Sequence, residues 1–191
     1  MKIEDAGLPG LKLLTPKRID DGRGFFSETY RRDALAEHGI DLSFVQDNHS
    51  LSLAAGVVRG LHFQSPPHAQ TKLVRVVRGG ILDVAVDIRR GSPTYGRHVA
   101  IELSAGNWQQ LLVSVGFAHG FCTLSEQTEV IYKVTDYYSA QDDRGLLWND
   151  PALGIAWPVT ADRAVLSERD RKHPALADLV SPFDFDGGAA A

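Results

Sequence analysis

A chain of 191 residues with 43% hydrophobic and 23% charged side chains has the composition of a soluble globular protein, and in one domain it can bury roughly 70% of its unfolded surface. Its formal charge of -4 excludes a general affinity for nucleic acid, so an anionic ligand would have to meet a local group of Arg and Lys. The single cysteine, Cys122, excludes an internal disulfide and a cysteine metal cluster; the start Met1-Lys2-Ile3-Glu4-Asp5 lacks an apolar leader, and no uncharged run approaches spanning length, so a cytoplasmic, membrane-free location is expected.

In chain order, an extended N-terminal arm leads into Asp20-Asp21-Gly22-Arg23-Gly24, which reads as a turn. Arg32 to His38, closed by Gly39, is predicted as a short helix. From Gly56 to Gly80 two short strands flank a proline-bearing loop, with His62 and Lys72 set in otherwise apolar runs. Strand-like stretches rich in Val, Ile and Leu follow at Leu73–Val77, Ile81–Ile88, Val99–Leu103, Leu111–Val115 and Glu129–Val134, after a first one at Val57-Val58. Gly79-Gly80, Gly91-Ser92-Pro93 and Gly106-Asn107 punctuate them. Short, evenly spaced strands with few helical signals indicate an antiparallel sandwich or barrel. A second helix is predicted near Ser167, and the tail from Asp186 to Ala191 is predicted to be disordered. No linker or repeat divides the chain, so residues 1–191 read as one domain.

Period-two alternation assigns faces. Lys72, Val74 and Val76 share one, and so do Val130, Tyr132 and Val134; Asp83 and Asp87 share the face of their strand opposite the even-numbered apolar residues. A polar group among valines is costly unless it is paired or used, which singles out Lys72 and Tyr132, with Asp83 as a possible charge partner. Strict alternation sends Arg59 and His62 to opposite faces unless Gly60 hosts a bulge. Each residue also has a plainer reading when taken singly. His62 could be a satisfied core histidine, Lys72 an edge-strand guard and Tyr132 a packing residue. Asp170 could cap a helix, Arg23 could offset the aspartates of its turn, His68 could be a solvated loop residue, and Cys122 a small buried apolar one.

Taken together, "DDGRGFFSETY", "FVQDNHS", "VVRGLHFQ", "QTKLVRVVRGGILDVAVDIRRGSPTYG", "VGFAHGF", "YKVTDYYS" and "WNDPALGIAWP" resemble the dTDP-4-dehydrorhamnose 3,5-epimerase family from about Thr15 to about Arg171, in the expected order. The resemblance implies a mainly β fold, an antiparallel cupin-like jelly roll with a few short helices. It implies a homodimer with sites near the subunit interface and a cofactor-free reaction from dTDP-4-dehydro-6-deoxy-D-glucose to dTDP-4-dehydro-L-rhamnose. It carries over His62 as base with Asp170 as its partner, Lys72 at the enolate and Tyr132 as acid. Arg23 and Arg59 are the implied diphosphate ligands. Phe26, Glu28, Gln46 and Asn48 line the nucleotide and sugar pocket, some of them reaching it from the partner subunit; Tyr138 stacks on thymine, His119 lies by the sugar, and Asp83 joins the substrate-binding set. This sequence departs from the family pattern at Ser114-Val115, where a proline is usual, and around Gln141 to Arg144, which leaves a ligand role for Asp142 or Asp143 without support.

The resemblance also accounts for what is missing. Metal-binding cupins carry a His-x-His pair with further ligands, whereas His62-Phe63-Gln64 has glutamine in place of the second histidine, so no metal is expected. Three other readings compete with the double epimerase: a 3-only or 5-only epimerase of another nucleotide deoxysugar, a metal-dependent cupin, and a sugar-binding cupin without catalysis.

Overall fold

Residues 1–187 are described by the computed structural model, so the predicted disordered tail lies outside them from residue 188. The strands are β1 (Lys2–Asp5), β2 (Leu11–Thr15), β3 (Ile19–Asp21), β4 (Gly24–Phe26), β5 (Gln46–Ser52), β6 (Val58–Gln64) and β7 (Lys72–Arg78). They continue as β8 (Gly80–Asp87), β9 (His98–Ser104), β10 (Gln110–Val113), β11 (Phe117–Thr123), β12 (Thr128–Val134) and β13 (Asp143–Gly145). Their antiparallel pairing builds a six-stranded sheet in the order β1-β2-β10-β7-β12-β5 and a five-stranded sheet in the order β13-β6-β11-β8-β9. β3 and β4 form a separate hairpin. The two large sheets face each other in a cupin-like jelly roll.

Alternation explains how the sheets meet. Val74 and Val76 of β7, Val130 of β12 and Leu111 of β10 bury their side chains against Ile81 and Ala85 of β8 and Phe117 and Phe121 of β11. Each such aliphatic side chain removed from water contributes about 1.5–3 kcal/mol. The outer faces are covered too. Helix α1 (Arg32–Ala36) sets Leu35 on Leu14, Leu73 and Leu112 of the six-stranded sheet. The C-terminal segment lays Leu146, Leu153 and Phe183 over Leu61, Phe63, Val84 and Val86 of the other. The even-numbered apolar face of β8 therefore points outward under that segment, and Asp83 and Asp87 point between the sheets. Asp87 is fully buried and satisfied by Arg89, Ser92 and Thr94.

Gly60 hosts a register change. His119 pairs with His62 but Phe121 pairs with Arg59, so two residues of β6, Gly60 and Leu61, oppose one of β11. This bulge returns Arg59 and His62 to a common inward face and sends Leu61 and Phe63 outward. Gly60 has φ +141, and a Cβ there would stand 2.5 Å from the Gly120 Cα. A Gly60→Ala variant is expected to lose about 3 kcal/mol of stability from overpacking and backbone strain. Urea denaturation checks this; an unchanged midpoint would show that the close approach is not needed.

Three sequence expectations need correction. β5 and β11 are strands that the hydrophobic pattern did not reveal, because β5 presents polar side chains on both faces and β11 is buried along its whole length. The predicted helix at Ser167 does not form. Ser167 Oγ does accept the Asp170 N–H at 3.1 Å, as at a helix start, but the Asp170 carboxylate turns to His62 and Pro174 follows. His68, expected to be solvated, is only half-exposed and bonds Asp142 at 2.7 Å.

Candidate active site

A cavity of about 250 Å³ opens between the sheets. The six-stranded sheet contributes Ser50, Lys72 and Tyr132; the five-stranded sheet contributes Arg59, His62, His119 and Phe121; the C-terminal segment contributes Ser167, Arg169 and Asp170. A second hollow of about 250 Å³ shares His62, Lys72, Tyr132 and Arg169 and extends the cleft past Gln46, Asn48, Tyr138 and Asp143. β5 supplies Gln46, Asn48 and Ser50 by period-two alternation, so its polarity is the polarity of a cavity wall.

His62 Nε2 lies 2.5 Å from Asp170 Oδ1. Burial alone would raise the Asp170 carboxyl, but the His173 and His62 imidazoles outweigh it and hold it well below the usual carboxylate range. An ionised Asp170 takes the Nε2 proton in a hydrogen bond and leaves the Nδ1 lone pair of His62 free. Burial lowers the His62 pKa despite the opposing Asp170, and the charges of Lys72 and Arg169 push it the same way. The ring is thus neutral at pH 7.

Lys72 Nζ donates to the His62 carbonyl at 3.2 Å. Desolvation brings its pKa down to about 8, against the pull of Asp143 and Asp83. Tyr132 stands two positions along β12 from Val134, the pairing partner of Lys72, so both side chains enter from the same sheet. Burial raises the Tyr132 phenol, with Arg59 opposing, and the hydroxyl keeps its proton near neutrality. The imidazole and the phenol therefore occupy opposite walls of one cavity, and the ammonium reaches from the phenol's sheet to the His62 carbonyl.

Other predicted residues fall into two groups. Arg59, Gln46, Asn48, His119 and Tyr138 line the cleft. Arg23, Phe26 and Glu28 do not: within one chain they sit on or just after the exposed β3–β4 hairpin, where Arg23 pairs with Asp21 at 2.6 Å. Asp83 is also misplaced by the sequence reading. It is fully buried and takes His119 Nε2 at 2.9 and 3.1 Å, so it backs that imidazole instead of lining the cavity, while its charge still acts on Lys72 without a direct bond.

Ser50, Ser167, Arg169 and His173 have no place in the sequence reading of the site, and Asp143, given no ligand role there, lines the cleft. Extending the alternation from Gln46 and Asn48 would have found Ser50; Arg169 adjoins Asp170, and its pairing with Asp143 across the cleft has no sequence signal. His62, Asp170 and His173 are the described residues whose donor atoms cluster closely enough to hold a metal ion, within 4.8 Å of one another.

A jelly roll with an imidazole and a phenol on opposite walls of one cavity suits an isomerase. The family model for dTDP-4-dehydrorhamnose 3,5-epimerase matches residues 5–178, and the chain belongs to that family. It is 50% identical over 185 residues to the dTDP-4-dehydrorhamnose 3,5-epimerase of Sinorhizobium fredii, covering 97% of this chain and 94% of that protein. It superposes with a TM-score of 0.88 on the crystal structure of the Bacillus anthracis enzyme with TDP and PPi bound, at 52% identity, covering 91% of this chain and 98% of that one. With the Legionella pneumophila enzyme in complex with dTDP-4-keto-L-rhamnose the TM-score is 0.90 at 41% identity, over 96% and 98% of the two chains.

Proposed function

We propose that this protein inverts C3 and C5 of dTDP-4-dehydro-6-deoxy-D-glucose to give dTDP-4-dehydro-L-rhamnose, with no cofactor. The observation that carries this reading is the placement of His62 and Tyr132 on opposing walls of one cavity. The 4-keto group acidifies the hydrogens at C3 and C5. His62 Nδ1 removes such a proton, and the electron pair moves to the ketone oxygen. The Lys72 ammonium stabilises the enolate oxygen in a water-poor site, where a fixed charge acts most strongly. Tyr132 then protonates the carbon from the other side, and the configuration inverts. His119, oriented by Asp83, is placed to hydrogen-bond the ketone or a neighbouring hydroxyl.

The test is incubation with the substrate in heavy water. Solvent deuterium at both C3 and C5 is expected by NMR. Deuterium at one carbon only would replace the double epimerase with a single-site one, and none would leave a binding protein.

The pH profile of kcat/KM should be bell-shaped. His62 must be neutral, so its lowered pKa puts the acid limb below pH 6.5; Lys72 must be charged, so rate falls as pH rises through about 8. Lys72→Arg should displace the alkaline limb upward. An unmoved limb would remove Lys72 from the enolate.

The partner is a second copy of this chain. The hairpin bearing Arg23 is exposed and remote from its own cleft, and β5, beside the cleft, is an unpaired edge flanked by exposed Val45, Leu51, Leu53, Tyr137 and Tyr138. A hairpin docked across that edge would bring Arg23, Phe26 and Glu28 to the partner's nucleotide, where Arg23 joins Arg59 on the diphosphate. Mixing inactive His62→Asn with weakened Arg23→Ala and allowing subunit exchange should restore activity to roughly a quarter of wild type, since half the dimers are hybrids with one intact site. No gain on mixing, in an exchanging dimer, would place Arg23 in its own subunit's site.

A further inference from the structure

His173 has no part in the proton transfers, yet it is built into the back of the site. Its side chain is 10% exposed, and its ring stands edge-on to His62 with centroids 5.6 Å apart. Gly145 leaves the room for it, since a Cβ there would overlap the imidazole. His173 Nε2 is buried without a hydrogen-bond partner among the described residues and lies 3.7 Å from Asp170 Oδ1, the same oxygen that takes the His62 proton. A buried imidazole nitrogen left unsatisfied is a rare and costly arrangement.

We propose that His62 Nε2, Asp170 and His173 Nε2 form a site for a divalent transition ion of the zinc class, which silences the protein by displacing the proton that His62 shares with Asp170. Two imidazoles and one carboxylate are a recurrent donor set for zinc, with a further position left open. Around a tetrahedral ion with bonds near 2.0–2.1 Å, donors stand roughly 3.3 Å apart. His62 and Asp170 must open from 2.5 Å, while His173 and Asp170 close from 3.7 Å. The fourth position then faces the cavity and takes water. The cations sharing the cavity are Lys72, Arg59 and Arg169, and Arg169 is already paired with Asp143. Binding moves the ring proton from Nε2 to Nδ1, so the lone pair that would take the substrate proton is occupied and the ring stops serving as base.

The experiment uses chelator-stripped protein titrated with Co²⁺. A visible absorption of four- or five-coordinate intensity should saturate at one ion per chain and vanish when Zn²⁺ is added. His173→Phe keeps the ring packing and removes the donor. It should weaken Co²⁺ binding by more than about tenfold, the loss that even an outer-sphere partner can cause. His173→Gln serves if the phenylalanine variant does not fold. No absorption in the wild-type protein, or an unchanged titration in the His173 variant, would overturn the site. Inhibition of epimerisation by Zn²⁺, reversed by chelator and lost in the variant, is a separate arm. That arm rests on the proposed role of His62, whereas the Co²⁺ spectrum does not, so failure of the reaction assignment and failure of the metal site are distinguishable.

Discussion

Replacing His62 by asparagine should lower kcat/KM by about 10³ or more and erase solvent deuterium at both C3 and C5. The substitution is chosen to separate chemistry from folding. Asparagine is smaller than histidine but retains an N–H that can face the Asp170 carboxylate, which is 6% exposed and would otherwise be left as an unpaired buried charge. What disappears is the lone pair on Nδ1, the nitrogen that Asp170 leaves free by holding the other one. Both carbons should fail together, because one imidazole faces one side of one hexose and both acidic hydrogens must come to it. The check is NMR of the sugar after incubation in heavy water, with circular dichroism to show that the fold persists. Deuterium still entering either carbon at the wild-type rate would mean that another group is the base.

Tyr132→Phe should act differently. Epimerised product is expected to fall by about 10²–10⁴, while deuterium continues to enter the substrate with its configuration retained. The reason lies in the two walls. With His62 and Lys72 intact the enolate still forms, but the proton available to quench it is the one on His62, on the side it came from. The ring itself packs against the core between the sheets, and phenylalanine preserves that contact, so stability should change by no more than about 1 kcal/mol. The measurement is the ratio of exchange to inversion, read by NMR on one sample. Wild-type inversion in the phenylalanine variant would remove Tyr132 from the acid role. Loss of exchange in step with inversion would mean that the phenol also helps to form the enolate.

Strand content was legible wherever a strand buries one apolar face. β7, β8, β9, β10 and β12 came from Val, Ile and Leu runs bounded by glycines, with ends displaced by a few residues at most. Lys72 and Tyr132 were legible for the same reason, as polar exceptions on inward faces. β5 was invisible because it serves as the wall of a polar cleft, and β11 because burial on both sides removes the alternation. Asp83 was read as facing a ligand, but polarity on an inward face does not say whether the partner is substrate or protein. Here it is His119.

From the sequence by itself came an antiparallel β protein, the candidate set His62, Lys72 and Tyr132, and the joint order of motifs that places the chain in its family. Local patterning carries that much, since a strand's face depends only on its own neighbours. Only the tertiary structure decided that Asp170 meets His62 across 108 residues of chain, that a bulge at Gly60 turns Arg59 and His62 to one side, and that Arg23 lies outside the lining of the cleft. These depend on how two sheets and a C-terminal segment close on one another, and the register that brings distant residues into contact is set by packing across the whole molecule.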